Sequence, residues 1–500
     1  DNHTKNIFNI MHDVDYSKEN FFNFPRDEIN FIIRQKILDN CGILNLTKKF
    51  IDSGFLDKFF FAPVPTITIK EINKVIKVQH FLCKIYWLFY LMRSILKAFG
   101  KVIFYFFYSL LPDQKINSRS VFFLGFADNM FPYEEIQFNR YNTVSWYLDK
   151  EKNLDETTYL HNNNQIKNFQ INKKKLIYKN LVNPKIKKFS KLLNFLYSSL
   201  FNIFKSIFFL NQYEILVLDE YIDYLAFKST SKNSLCNKYV FEFGAYLRKP
   251  LWTYACIDKN IDIEMICYSV NDSLTFNKNK GYFWNKVMNW PKLIVWDEHH
   301  KNNFKNFNQY KKTEYEIVKI IPSFDSNSNQ ELKKDKKIVS IFDVPMKKIS
   351  DTFLETIHYE WEYYSLNNLY LFLNDIGEIC KNLDVQLVYK KKKKRYKKFL
   401  RQYKIENDFV KKYDVIEFNF KNSAIKLVEQ SDLVISMPFS SPSLIGHYKG
   451  KPSCYYDAEN SLDKNLDLSH GLELIQNKTN LEKWIKLNLT NKHNQNYLKL

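Results

Sequence analysis

The sequence is poor in glycine and proline, which number 10 and 13 among its 500 residues. It contains neither a Gly-x-Gly-x-x-Gly pattern nor a P-loop, so these two glycine-rich motifs for nucleotide phosphates are excluded. The 7 cysteines are odd in number and form no Cys-x-x-Cys pair. They are typical of reduced core residues, and neither a disulfide framework nor a zinc site is expected.

Long apolar runs are also lacking. A helix that crosses a bilayer needs about 20 largely apolar residues, and the most apolar stretch, Lys77 to Leu111, is interrupted by Lys84, Arg93 and Lys97. We expect one or two interfacial helices there, with basic side chains reaching anionic lipid, or else an apolar helix packed against its own domain. The apolar helix predicted over Leu192 to Leu210 presents the same alternatives. No classical signal peptide opens the sequence.

Positive charge is abundant, with 74 Lys and Arg against 54 Asp and Glu and a formal net charge of +20. No zinc spacing, groove-reading motif or RNP-like segment accompanies this charge, so we expect no nucleic-acid partner. The joint enrichment of Lys, Asn, Ile, Phe and Tyr is typical of an AT-rich genome. A basic surface would still favour anionic membrane lipid and a phosphate-bearing acceptor.

Apolar runs and helical patterns alternate on both sides of a polar segment, which predicts two parallel α/β domains. We expect a helical, membrane-associated extension over 1–113, a first domain over 114–325, a linker over 326–337 and a second domain over 338–500. Strands are predicted in the first domain at Ser120–Phe126, Tyr213–Leu218, Leu251–Cys256, Ile263–Ser269, Lys292–Trp296 and Glu316–Ile321. Those in the second are predicted at Ile338–Phe342, Val385–Tyr389, Val415–Phe418, Leu433–Ile435 and Ser453–Tyr456.

A cluster of hydroxyls follows the predicted strand Leu433–Ile435, at Ser436, Ser440, Ser441 and Ser443. Ligands of open α/β sheets bind at the carboxyl ends of the strands, and the start of a helix suits a phosphate because its amide groups and dipole point at the anion. The cluster therefore predicts a phosphate site. An ordinary turn and helix N-cap is the alternative.

The same region resembles a known family. Pro438-Phe439-Ser440-Ser441 and the block from Lys451 to Asp457 are similar to the signature of bacterial polysaccharide-biosynthesis proteins named for a Pro-Phe-Thr-Ser motif. Agreement continues at Phe342-Asp343-Val344, Lys390 through Arg395, Leu251-Trp252-Thr253-Tyr254 and Trp290-Pro291. The resemblance implies glycosyltransferases of the GT-B architecture, two Rossmann-like domains facing a cleft, similar to enzymes that use CMP-activated sialic or 3-deoxy-octulosonic acids.

Two departures from that pattern bear on the donor. Ser440 replaces threonine, which keeps the hydroxyl. The His-Pro pair that many CMP-sugar transferases carry is absent, and Lys390 and its neighbours stand in its place. The basic run Lys390 to Arg395 follows a predicted strand, and although most of such a run is normally a solvated face, we expect one or two side chains among Lys390, Lys392 and Arg395 to reach phosphate. From the resemblance we expect Tyr456 with Asp457 to contact ribose or base. A plain turn role for Asp457 is the alternative.

Transfer from a nucleotide sugar needs a general base for the acceptor hydroxyl. The candidates follow predicted strands of the first domain: Asp219 and Glu220, Asp297 and Glu298, and Asp128. Asp297-Glu298-His299-His300 also suggests a metal site, but adjacent loop residues seldom converge on one ion, and capping of the next helix by Asp297 and Glu298 is the simpler interpretation. We expect no metal and no cofactor.

The sequence thus predicts a GT-B glycosyltransferase that moves a sugar, a nonulosonic or related acid from a CMP donor, to a cell-surface polysaccharide or lipid-linked acceptor. The first domain would bind the acceptor and the second the nucleotide sugar. We expect a cytoplasmic protein, peripheral at the inner face of the cell membrane. The alternative is a non-catalytic, membrane-associated polysaccharide assembly protein.

Overall fold

The computed structural model describes residues 24, 29–30, 32–33, 36, 64–73, 80–111, 120–126, 158–161, 169–171, 174–179, 184–243, 249–267, 290–307, 312–317, 331–332, 335–344, 363–391, 400–419, 424–462 and 469–490. These residues form two sheets flanked by helices. The cysteines among them are buried thiols, in line with the prediction of reduced core residues.

The N-terminal sheet has eight strands in the order β3-β4-β2-β1-β5-β6-β7-β8. The strands are β1 (Ser120–Leu124), β2 (Thr158–His161), β3 (Phe169–Ile171), β4 (Lys174–Tyr178), β5 (Lys238–Glu242), β6 (Asp262–Ile266), β7 (Lys292–Val295) and β8 (Glu314–Ile317). All neighbours are parallel except β3 and β4. Since β1 lies between β2 and β5, the strand order reverses there, and ligands of open α/β sheets bind at such switch points.

The helices of this half are α1 (Thr66–Asn73), α2 (His80–Leu110), α3 (Phe189–Phe208), α4 (Gln212–Ser229), α5 (Trp252–Ile257) and α6 (Glu298–Phe307). Helices α2, α3 and α4 share one apolar core, to which they contribute Val102, Phe195 and Ile222. Helix α4 also reaches the core of the sheet through Phe227. Helix α2 is therefore packed onto the first domain. Among the described residues, no helix is long and apolar enough to cross a bilayer.

Two of the predicted strands are wrong. Tyr213–Leu218 lies in α4, and Leu251–Cys256 coincides almost entirely with α5. All four residues of the run from Ile215 to Leu218 are buried, and Leu218 belongs to the core that α4 shares with α2 and α3. A short, fully apolar run cannot distinguish a buried helix from a buried strand.

The C-terminal sheet has six strands in the order β11-β10-β9-β12-β13-β14, and every neighbouring pair is parallel. The strands are β9 (Ile338–Phe342), β10 (Gln386–Lys390), β11 (Ile416–Phe418), β12 (Leu433–Ser436), β13 (Ser453–Asp457) and β14 (Glu473–Gln476). The helices are α7 (Leu366–Asn382), α8 (Leu400–Tyr413), α9 (Ala424–Gln430), α10 (Ser441–Tyr448) and α11 (Lys478–Thr490). Counted within the domain, this is the Rossmann order 3-2-1-4-5-6. The predicted α/β fold with two Rossmann-like domains is confirmed.

Candidate functional site

The switch point of the C-terminal sheet lies between β9 and β12. Phe342, the last residue of β9, is in register with Lys390 of β10 and with Ser436 of β12. The segments that follow these strands therefore leave the sheet at one edge, which is where a doubly wound fold binds its ligand. The serine cluster predicted from the sequence begins at this edge.

The turn between β12 and α10 contains a strained residue. Phe439 has a φ of 61°, in the left-handed region that bulky residues rarely adopt. Its ring is buried and packs edge-on against Tyr455, with the centroids 5.8 Å apart. The Tyr364 hydroxyl donates to the Pro438 carbonyl oxygen at 2.8 Å. Packing and this hydrogen bond thus hold a turn that starts α10 directly after the strand.

Helix α10 begins without a side-chain cap. Its N-cap residue Ser440 has an extended backbone, but the Ser440 hydroxyl donates to the Met437 carbonyl oxygen at 2.9 Å and does not accept from the helix. By contrast, Ser365 accepts from the Asn368 amide at 3.0 Å at the start of α7. The first turn of α10 therefore presents amide groups that Ser440 does not satisfy. Such amides, together with the helix dipole, suit an anion.

The hydroxyls of Ser436 and Ser443 form hydrogen bonds with other groups of the protein. Ser436 donates to Ser443 at 2.6 Å, and Ser443 donates to the Cys454 carbonyl oxygen at 2.8 Å. Both serines are fully buried. Their bonds join β12, α10 and β13, which favours a structural role over the predicted contact with phosphate.

A glycine brings α10 close to the sheet. A Cβ atom at Gly446 would lie 2.3 Å from the Ser453 hydroxyl oxygen and 3.1 Å from the nearest atom of the Val434 side chain. No real side chain fits at these distances without a shift of its neighbours. Gly446 therefore sets how closely α10 approaches β12 and β13.

Of the three basic residues that were predicted to reach phosphate, one lies in the part of the chain that the structure describes. Lys390 is buried at the carboxyl end of β10, beside the switch point. Lys391 points elsewhere, since its ammonium lies 2.6 Å from Glu417 and 3.6 Å from Glu406. The other two predicted residues, Lys392 and Arg395, lie outside the described residues.

Tyr456 and Asp457 make internal contacts. The Tyr456 hydroxyl donates to Asp375 at 2.6 Å. Asp457 is fully buried. Its carboxylate accepts hydrogen bonds from the Tyr363 hydroxyl, the Leu462 amide and the Gln476 side chain, each at 2.9 Å. These bonds favour a structural role for Asp457 over the predicted contact with ribose or base.

Asp219 and Glu220 do not follow a strand, which corrects the reason for proposing them as bases. They lie within α4, where Lys36 contacts Asp219 at 2.5 Å and Glu220 at 3.2 Å. Lys101 lies 3.6 Å from Asp219. Burial alone would raise the pKa of Asp219, but the two ammonium groups outweigh it and hold the pKa below its usual value. This cluster joins α4 to α2.

Asp297 is engaged at the contact between the two domains. Its carboxylate accepts from the Tyr448 hydroxyl at 2.5 Å, from Nδ1 of His470 at 2.7 Å and from the His300 amide at 2.7 Å. Burial would raise the pKa of Asp297, but these hydrogen bonds and the His470 charge outweigh it and hold the pKa well below its usual range.

The contacts of Asp297 lie away from the serine turn. Tyr448 ends α10, whereas the Ser440 turn begins it, so the two ends are separated by about 10 Å of helix. His470 precedes β14, at the amino edge of the C-terminal sheet. Asp297 therefore contacts the edge away from the serine turn and does not face that turn across the switch point.

The neighbours of Asp297 have separate roles. The His300 amide bond confirms that Asp297 caps α6. Glu298 is exposed and pairs with Lys301 at 3.0 Å. Burial and the nearby His470 lower the pKa of His300 to about 3, so its imidazole is neutral. Within the part of the chain that the structure describes, no group of three His, Cys, Asp or Glu side chains is placed to hold a metal ion.

Two buried residues at the carboxyl edge of the N-terminal sheet were not predicted from the sequence as functional candidates. Glu242 is the last residue of β5 and is 3% exposed, and His161 is the last residue of β2 and is fully buried. Their strands flank β1, where the strand order reverses. Neither strand was predicted, although the run Tyr239-Val240-Phe241 ending in a carboxylate was a usable signal. Asp128, which follows β1, lies outside the described residues.

Comparison with known families confirms the family resemblance but does not show the similarity to CMP-sugar transferases. The family model described as "Polysaccharide biosynthesis PFTS motif protein" matches residues 198–485, more than half of the chain. The chain belongs to this family. No curated protein is detectably similar to it in sequence.

Solved structures resemble the chain at low identity. One is the UDP-GlcNAc 2-epimerase from Methanocaldococcus jannaschii, with 11% identity, a TM-score of 0.39, and coverage of 75% of this chain and 93% of that chain. Another is a glycosyltransferase from Rickettsia africae, with 10% identity, a TM-score of 0.37, and coverage of 75% and 89%.

Proposed function

We propose that this member of the PFTS motif family is a glycosyltransferase whose C-terminal domain binds a nucleotide-sugar donor. The observation that carries the proposal is the start of α10 at the switch point, where the N-cap residue Ser440 makes no side-chain hydrogen bond to the helix. Amides fixed by the strained Phe439 turn would hold the donor phosphate and stabilise the charge that develops on it as the sugar departs. Lys390, at the same edge, would add positive charge.

The general base should come from the carboxyl edge of the N-terminal sheet, where an acceptor would lie. We propose Glu242 for this role, with Asp128 as the alternative. Glu242 ends β5 at the switch point of its sheet and is 3% exposed, so its carboxylate is placed where it could accept the proton of an acceptor hydroxyl. Asp297 suits the role less well, because three hydrogen-bond donors hold it ionised and weakly basic.

The finer proposal is a CMP-activated nonulosonic or related acid as donor, and a cell-surface polysaccharide or lipid-linked glycan as acceptor at the inner face of the membrane. It rests on the Pro438 to Ser441 motif and on the block from Lys451 to Asp457. We propose that the reaction needs no metal ion, because the α10 amides and Lys390 supply the positive charge that a metal would otherwise provide.

Thermal unfolding with CMP, UDP, GDP and CMP-sugars, each with and without EDTA, tests this proposal. A nucleotide at 100 times its Kd should stabilise the protein by about 2.7 kcal/mol, and EDTA should leave that shift unchanged. A shift that requires added divalent metal would contradict metal independence. If none of the nucleotides stabilises the folded protein, the assembly-protein alternative is favoured and the transferase proposal fails.

A further inference from the structure

Exposed apolar side chains are concentrated on one part of the molecule. All but four of the large apolar side chains that are exposed in the described residues lie within 81–111 or 189–210. The four exceptions are Ile67, Tyr370, Tyr403 and Leu487. A patch so large and so confined marks an interaction surface, because scattered single apolar residues are the norm elsewhere on a protein.

Helices α2 and α3 each carry two apolar stripes. One stripe of α2, which includes Trp87, Leu91 and Val102, is buried against the first domain. A second stripe of α2 is 57% to 74% exposed and consists of Phe81, Leu88, Met92, Leu96, Ile103 and Phe107. The exposed stripe of α3, at 49% to 81%, consists of Phe189, Leu193, Tyr197, Phe201, Phe204 and Phe208. Core packing therefore explains only one side of each helix.

Helices α2 and α3 contact each other beside the exposed stripes, through the half-buried Phe99. Phe99 of α2 contacts Phe204 of α3 edge-on, with ring centroids 6.1 Å apart, and Phe204 is 59% exposed. Helices α2 and α3 also share the apolar core on their other side. The two stripes together form one surface, which we call the aromatic face.

The charged residues on the two helices of the aromatic face have one sign. Neither α2 nor α3 contains an aspartate or glutamate. Lys84, Arg93, Lys97 and Lys101 lie on α2, and Lys188, Lys191 and Lys205 lie on or beside α3. Lys101 is turned inward and contacts Asp223 at 2.6 Å. An apolar, aromatic face with exposed basic residues and no carboxylate is complementary to anionic lipid.

We propose that the aromatic face docks on an anionic bilayer, with α2 and α3 lying in the plane of the headgroups. At 31 residues α2 is about 46 Å long, and neither helix is apolar enough to cross a bilayer. A second copy of the chain fits this face less well, because a two-fold contact would bring two carboxylate-free basic surfaces together. The proposal does not depend on sugar transfer.

Vesicle flotation of the full chain tests the proposal. The protein should float with vesicles of phosphatidylcholine and phosphatidylglycerol, much less with phosphatidylcholine alone, and less at about 0.5 M salt because ions screen the attraction. The double variant Leu88→Gln, Phe201→Gln should lower partitioning about 100-fold. The matched control Leu487→Gln should not, although Leu487 is as exposed as Leu88, at 59% against 60%.

Charge is tested in the same assay. Lys188→Glu with Lys191→Glu should weaken flotation on anionic vesicles at least about 10-fold. Lys404→Glu with Lys411→Glu, on α8, changes the net charge equally and should have little effect. Unfolding midpoints should stay close to wild type in all variants, because the substituted side chains are exposed.

Three results would overturn the proposal. The first is the absence of wild-type binding to either vesicle, and the second is equal binding by wild type and the Leu88, Phe201 variant. The third is a wild-type protein that binds no vesicles and sediments as a dimer, while the Leu88, Phe201 variant sediments as a monomer. That result would make the aromatic face an interface between two copies of the chain. Loss of nucleotide binding in any of these variants would bear on the proposed transferase function and would not bear on the proposed membrane docking.

Discussion

The carboxylate of Asp297, which follows β7 of the N-terminal sheet, lies 2.7 Å from Nδ1 of His470 in the C-terminal domain. Tyr448 donates to the same carboxylate at 2.5 Å, so two hydrogen bonds cross between the domains at one residue. Asp297, which the sequence suggested as a catalytic base, therefore connects the two domains.

Replacement of Asp297 by asparagine should lower stability more than catalysis. The variant leaves His470 and Tyr448 facing an uncharged amide, which should reduce the free energy of unfolding by about 2–3 kcal/mol in urea titrations. Glu298→Gln is the matched control. Glu298 is 63% exposed and pairs only within its own helix, so its replacement should cost less than about 0.5 kcal/mol. A stable Asp297→Asn protein with turnover lowered 100-fold would restore the catalytic assignment.

The free energy of unfolding should decrease at acidic pH because His300 is buried in its neutral form. Burial and the neighbouring His470 lower the pKa of His300 to about 3, while Asp297 opposes this shift. The unfolded chain takes up a proton on this residue below about pH 6.5 and the folded chain does not. The free energy of unfolding therefore decreases as the pH drops from about 6.5 toward 3, by about 2 kcal/mol between pH 6.5 and 5.

Urea titrations of wild type and His300→Leu at pH 5 and 7.5 isolate this effect. The pKa of Asp297 is lowered, so its own contribution is lost only below about pH 3.8, outside this window. The variant should lose less stability at pH 5 than wild type does. Equal losses in the two proteins would show that His300 is not the responsible group.

Backbone amides, not serine hydroxyls, should hold the donor phosphate. Ser441→Pro removes one amide donor from the first turn of α10, where proline is tolerated, and the extended backbone of Ser440 is compatible with a following proline. The affinity for nucleotide sugar should fall about 10-fold or more by calorimetry. Ser441→Ala keeps the amide and should change affinity much less. A larger loss in the alanine variant would assign the contact to the hydroxyl.

Gly446→Ala should move α10 away from the sheet. The added methyl would lie 2.3 Å from the Ser453 hydroxyl oxygen, and the expected cost is about 1–3 kcal/mol together with weaker nucleotide binding. The companion substitution Ser453→Ala should recover part of that loss. Gly100→Ala is the control, because no atom lies within 4 Å of its Cβ position and alanine favours the helix. A neutral Gly446→Ala variant would contradict the close contact.

Glu242→Gln should lower turnover by about 100- to 10,000-fold and leave nucleotide affinity nearly unchanged, the effect expected for one general base. Asp219→Asn should instead lower stability and leave turnover nearly unchanged. It breaks the contacts with Lys36 and Lys101, so we expect a lower unfolding midpoint and near-normal turnover per folded molecule. Full turnover in Glu242→Gln would shift the assignment to Asp128.

The C-terminal domain could be predicted from the sequence in some detail. Its short strands end at polar or turn residues, and both faces of the sheet are covered, so apolar runs such as Leu433 to Ile435 stand out from the segments between them. The Ser440 turn was placed correctly for the same reason. Its detailed chemistry was not, since the buried bonds of Ser436 and Ser443 depend on how α10 packs onto β13.

The N-terminal half shows what only the tertiary structure decided. The run Ile215 to Leu218 alone does not distinguish a helix from a strand, because all four of its residues are apolar and buried and the chain becomes polar only at Asp219 and Glu220. The partners of Asp297 lie 151 and 173 residues away in the chain. Composition and local pattern determined which segments were apolar, basic or turn-forming. Long-range packing determined which carboxylates became ion pairs, which histidine became neutral, and which apolar stripes stayed exposed.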